Sequence, residues 1–198
     1  MNNIIKIIFA LMLMITVSSC KKELPLDKDL TKKSYELINQ DSLKVSFPEV
    51  IKGKITVIGF IYTHCPDICP MTTHNIQLTE KKLKEEGIDN VMFAAISFDP
   101  DRDSPEVLKK FAEIRDIDFK NWILLTGELP VITDLLRRFD VKAVRTDEYT
   151  DDEGEQVYSM MHTDRISLID ENGFLRKNYK GSTLNIEEII NDIKSLKD

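Results

Sequence analysis

Two cysteines, Cys65 and Cys69, stand four residues apart in the run Cys65-Pro66-Asp67-Ile68-Cys69-Pro70. The run follows an uninterrupted apolar stretch, Ile55 to Tyr62, and leads into a segment with helical spacing. Positions i and i+4 of a helix share a face, with Cβ atoms roughly 5–6 Å apart. Two thiols so placed can hold one metal ion between them. They can also close a disulfide, for which Cα separations of ~4.4–6.8 Å suffice. The residue types and spacing leave both chemistries open.

A metal ion needs more than two sulfurs, and the chain has three histidines, His64, His74 and His162. His64 adjoins Cys65, but consecutive residues leaving a strand point apart. His74 lies five residues past Cys69, about 140° around a helix, and should face away. His162 comes just before Arg165 to Asp170, a stretch with strand character. Two thiolates and an imidazole make a soft, incomplete ligand set that suits copper better than magnesium, calcium or manganese. A structural zinc site would want a fourth protein ligand, and the sequence offers none that is evident. Met160 and Met161 carry thioethers beside His162, but core filling or loop exposure is the ordinary use of such residues.

The elements that must position these groups follow from pattern. Ile55 to Tyr62 and Val91 to Phe98 are β-rich apolar runs, as expected of strands buried on both faces. Trp122 to Leu125 and Arg165 to Asp170 read as shorter strands. A helix should run from the cysteine motif to Gly87, its stop. Ser104-Pro105-Glu106 opens a second helix, with Ser as cap and Pro at the first position. Pro130 to Phe139 reads as a third. Asn185 with Glu188 forms a capping box before the apolar stripe Ile186, Ile189, Ile190, Ile193 and Leu196. Ser34 to Phe47 suggests an N-terminal β-hairpin, and Phe174 to Tyr179 a closing hairpin strand after a turn at 171–173. Residues 145–157 are polar and acidic with no strand or helix period, and read as an exposed loop. The alternation gives an α/β fold with a central, largely parallel sheet, an antiparallel part and flanking helices.

The chain has 198 residues, a size that fits one folded domain, with 42% hydrophobic and 31% charged residues. The net charge is -7. That balance, with Lys and Arg scattered along helices, argues against nucleic acid as a partner.

The third cysteine, Cys20, belongs to a different feature. Lys6, the apolar run Ile7 to Val17, and Ser18-Ser19 precede it. Eleven apolar residues are too few to span a bilayer, which takes ~20. The sequence Val17-Ser18-Ser19-Cys20 resembles a bacterial lipoprotein signal. That implies a signal peptide over 1–19, cleavage before Cys20 and lipidation of its sulfur. Residues 20–33 then read as a lipid-anchored tether and 34–198 as the folded domain. The expected location is extracytoplasmic, on the periplasmic side, where disulfides persist.

Three segments carry a wider resemblance: Phe60 to Pro70, Ser97 to Pro105, and His162 to Asp170 followed by Glu171-Asn172-Gly173. Together they resemble the Sco (SenC) proteins, over about Lys54 to Tyr179. The resemblance implies a thioredoxin-like fold and one copper ion per chain, bound by Cys65, Cys69 and His162. It implies a copper carrier that helps assemble the dinuclear copper site of cytochrome c oxidase. The partner would be the copper-site subunit of that oxidase or another copper protein, and the chain would act as a monomer. Asp99 and Asp103 fall in a signature of the family and could orient a ligand or dock a partner. The chain departs from the family in its anchor, a lipid in place of a transmembrane helix. The loop at 145–157 stands where the family has a mobile loop. Unlike thioredoxins, the chain has a three-residue spacer between the cysteines and no proline from Met161 to Arg165.

A second function competes for the same sulfurs. Cys65 and Cys69 could serve as the redox pair of a thiol–disulfide oxidoreductase that keeps partner cysteines reduced. A peroxidase reading is weak, because the loop before Cys65 lacks the residues expected of a peroxidatic site.

Overall fold

The computed structural model describes residues 24–65, 68–154 and 156–197. In chain order the strands are β1 (Lys28–Asp29), β2 (Tyr35–Asn39), β3 (Lys44–Phe47), β4 (Ile55–Ile61), β5 (Val91–Ser97), β6 (Trp122–Thr126), β7 (Ala143–Thr150), β8 (Gln156–His162), β9 (Ile166–Ile169) and β10 (Phe174–Tyr179). The helices among the described residues are α1 (Ile68–Glu85), α2 (Pro105–Ile114), α3 (Leu129–Arg138) and α4 (Ile186–Lys197).

Eight strands form one sheet in the order β1-β10-β9-β4-β5-β6-β2-β3. Its centre, β4-β5-β6, is parallel. Antiparallel strands complete it on both sides, with the hairpin β2–β3 at one edge. This is the mixed-sheet, thioredoxin-like α/β architecture expected, N-terminal hairpin included. All seven residues of β4 and all five of β6 are buried, as central parallel strands covered on both faces require. Helix α1 packs on β4 and β5, and α4 packs on α1. Gly59 lets α1 approach closely: a Cβ there would lie 2.7 Å from Ile76 Cδ1.

The helix boundaries obey the cap chemistry. Ser104 Oγ accepts from the Val107 N–H, and Pro105 opens α2. The Asn185 side chain accepts from the Glu188 N–H at the start of α4. Past the end of α1, Gly87 has φ +72° and Ile88 N–H returns to Leu83 O, a Schellman-type stop.

Two expectations are corrected. Residues 24–33, read as tether, are packed onto the domain. Leu24 and Leu30 are buried, β1 pairs with β10, and Arg176 donates to the carbonyls of Leu24 and Pro25. Two leucines among charged residues are enough when a sheet edge and an arginine receive them. Residues 145–157, read as a loop, lie for the most part in a two-stranded ribbon, β7–β8, separate from the main sheet. Strand β7 is exposed or half-exposed throughout, so no apolar alternation marks it. The leader at 1–19 and Cys20 lie outside the described residues. No helix of the described residues is long and apolar enough to cross a membrane.

Candidate metal centre

The chain leaves the buried β4 at Ile61 and turns at once, with Cys65 N–H donating to Tyr62 O. Helix α1 is described from Ile68, and Cys69 lies in its first described turn. The sequence placed Cys65 at the helix N-terminus, and its Sγ folds over the first turn and accepts the Cys69 N–H at 3.4 Å. Pro66 and Asp67 lie outside the described residues. The Tyr62 N–H points at Cys69 Sγ, 3.5 Å away. Both sulfurs are therefore aimed by backbone amides. Both cysteines are free thiols. Cys69 is fully buried, and burial pushes its thiol up; the Tyr62 N–H pulls the other way.

His162 ends β8 and enters from the other side. Its Nε2 lies 3.9 Å from Cys69 Sγ. Its Nδ1 lies 3.3 Å from the Thr163 carbonyl. A carbonyl can only accept, so this contact places the ring proton on Nδ1 and leaves the Nε2 lone pair facing the sulfurs. The ring packs on Phe98, with centroids 4.7 Å apart, and lies edge-on to Tyr62 at 6.0 Å. The ligand atoms of Cys65, Cys69 and His162 all fall within 4.8 Å of one another. Zn–S, Zn–N and comparable bonds run ~2.0–2.3 Å, so one ion can sit among the three after small side-chain movements.

The Tyr62 hydroxyl lies beside Cys65. Burial first, and then the neighbouring thiol, push it up to about 12. Asp103 lies under the turn. It accepts from the Thr63 N–H at 3.1 Å, from Thr63 Oγ1 at 2.6 Å and from Ser97 Oγ at 2.5 Å. Burial pushes its carboxyl up against those hydrogen bonds, and Asp99 adds to the rise. A further clamp joins the two halves of the site. Asp164, two residues past His162, accepts from Ser182 and from Thr72 of α1. A Cβ at Gly181 would lie 2.6 Å from both Asp164 Oδ1 and Thr72 Oγ1.

The SCO1/SenC family model matches residues 24–198. The chain belongs to the SCO1/SenC family. Three solved structures give the likeness. A SCO1/SenC family lipoprotein from Bacillus anthracis is 36% identical, with a TM-score of 0.73 covering 88% of this chain and 98% of that one. ScoI of Bradyrhizobium japonicum, solved with copper bound, is 28% identical, with a TM-score of 0.69 over 83% and 98%. BsSco, described as a member of the Sco family of cytochrome c oxidase assembly proteins with a disulfide switch, is 32% identical, with a TM-score of 0.70 over 88% and 98%.

Within this SCO1/SenC fold, Cys65, Cys69 and His162 converge. The other two histidines do not join them. His64 is exposed beside the site, its Nδ1 against Thr63 Oγ1, and His74 is exposed on α1. Met160 packs against the core, while Met161 is exposed. Sequence reading did not single out Tyr62, Phe98 or Thr163, which pack on or orient His162, nor Tyr158, which is buried on the same strand as His162. One signal was available for Tyr158. It shares the parity of Met160 and His162, so a strand ending at His162 would turn all three the same way.

Proposed function

We propose that this chain carries one copper ion between the thiolates of Cys65 and Cys69 and the imidazole of His162, and passes it on during assembly of the copper site of cytochrome c oxidase. The observation that carries the reading is the convergence of two soft sulfurs and one pre-oriented Nε2 within 4.8 Å. The copper bound to the Bradyrhizobium protein and the oxidase-assembly role stated for BsSco support it. With three protein ligands the ion keeps an open side, which suits cargo that must leave. The partner is a copper-site subunit of the oxidase or another copper protein.

Anchoring belongs to the same reading. Cys20 carries lipid, the domain works as a monomer outside the cytoplasm, and the ion is exchanged at the membrane surface. The lipoprotein description of the Bacillus anthracis relative supports this.

A second reading uses the sulfurs alone. The thiols of Cys65 and Cys69 give two electrons and two protons to a partner disulfide. One disulfide forms here and one breaks there. The disulfide switch described for BsSco favours it. The two functions exclude each other at any instant, since a disulfide cannot supply two thiolates.

Copper titration of the reduced protein, beside His162→Ala, separates them. We expect one equivalent bound with a sulfur-to-copper charge-transfer band. In the variant, affinity should fall at least ~10–100-fold while disulfide exchange persists. Equal affinity in both proteins would remove His162 from the site, and no copper binding at all would leave the reductase.

A further inference from the structure

His162 is carried by a ribbon that belongs to no part of the main sheet. At its base the two legs are tied to each other, Thr163 N–H donating to Lys142 O and Lys142 N–H to Thr163 Oγ1. What holds its length in place is side-chain contact along one face of β8. Residues of equal parity in a strand point the same way. Tyr158, Met160 and His162 all turn inward, where Tyr158 is buried, whereas Ser159 and Met161 are exposed.

The Tyr158 hydroxyl donates to Asp99 Oδ1 at 2.6 Å. Asp99 is only 1% exposed. Its backbone N–H is fixed by Ser97 Oγ at 3.0 Å, and its buried Oδ2 has no hydrogen-bond partner among the described residues. Tyr158 thus donates directly to that buried carboxylate, and Arg145 Nη2 lies 3.9 Å from the same Oδ1. Two guanidinium groups lie over the tyrosine ring, Arg102 Cζ at 3.3 Å and Arg145 Cζ at 4.3 Å from its centroid. Arg102 also donates to Tyr158 O at 3.1 Å, and Arg145 pairs with Asp101. The loop that receives Tyr158 begins directly after Phe98, whose ring packs on His162.

We propose that Tyr158 is the positioning residue of His162: docked on Asp99 between Arg102 and Arg145, it seats β8 where the imidazole reaches the sulfurs. The proposal rests on the three-ligand copper reading above. Tyr158 touches neither sulfur nor the ion's position, so its effect travels through the strand and through Phe98. Four extended residues span ~13 Å, and a strand pinned at both ends cannot shift its terminal ring independently. Burial and Asp99 push the hydroxyl up to about 12, so it remains a donor across the neutral range.

The test is a cycle of copper(II) titrations on the full, reduced chain: wild type, Tyr158→Phe, His162→Ala and the double variant. Tyr158→Phe should weaken binding ~10-fold, as loss of an orienting partner does, and move the copper spectrum toward that of His162→Ala. In the double variant the Tyr158 change should add nothing, because the group it positions is gone. Asp99→Asn keeps an acceptor for the hydroxyl and should bind within about threefold of wild type. Circular dichroism checks folding; if Tyr158→Phe does not fold, Asp99→Ala takes its place in the cycle. An unchanged affinity in Tyr158→Phe overturns the proposal. So does an equal loss with and without His162, or a loss in Asp99→Asn as large as that in Tyr158→Phe. If His162→Ala itself binds as wild type does, the three-ligand reading has failed and the positioning role fails with it.

Discussion

The imidazole Nε2 of His162 lies 3.9 Å from the sulfur of Cys69, although 93 residues separate them in the chain. One group comes from the first turn of a helix on the main sheet and the other from the end of a separate ribbon. The two meet with the histidine's free lone pair already turned toward the sulfur.

Copper affinity should rise with pH. Burial holds the Cys69 thiol above its ordinary value, so the thiol is protonated across the neutral range and binding must displace that proton. Each displaced proton makes apparent affinity climb about tenfold per pH unit. Competition titrations between pH 6 and 8 measure it. A flat profile would mean that Cys69 does not bind as a thiolate.

Removal of residues 1–33 should destabilise the domain relative to removal of residues 1–23. The longer deletion takes away buried Leu24 and Leu30, strand β1 and the carbonyl partners of Arg176. Two buried leucines amount to about 3–6 kcal/mol as an upper bound. Urea unfolding of the two proteins gives the difference. Equal midpoints would restore the tether reading of this segment.

Asp103→Asn should flatten the pH dependence of stability on the acidic side. The folded protein raises the Asp103 carboxyl above its usual range. A raised acid contributes stability that is full below its unfolded value, about 3.9, and is lost as pH rises through the folded value. Wild type should therefore lose stability across that window and the variant should lose less. Urea midpoints from pH 3.5 upward test this, and parallel curves would contradict it.

Ser104→Ala should cost about 0.5–2 kcal/mol, the value of an N-cap side chain, through loss of the Val107 N–H bond. Copper affinity should not change, since no atom of Ser104 reaches the centre. A matching loss of affinity would tie the site to global stability.

The main sheet was legible because its central strands are buried on both faces and so read as unbroken apolar runs. The cysteines were legible because a strand-to-helix turn places them. The capping residues Ser104 and Asn185 marked their helices correctly for the same local reason. The ribbon was not legible. Its strands lie outside the main sheet, and they are seated by long-range pairs such as Tyr158 with Asp99, 59 residues apart. Nor was the packing of Leu24 and Leu30 visible. Isolated leucines carry no period, and what buries them is a distant strand and Arg176. His162 needed the family resemblance, because a single histidine gives no pattern of its own.

The separate ribbon divides the ownership of the site. The sulfur pair sits where a buried core strand passes into the helix packed on it, while His162 is delivered by a piece that pairs with no strand of the main sheet. On the copper reading, the time a bound ion stays should then be tunable through the seat of the ribbon, with the sulfur pair's own thiol chemistry left in place.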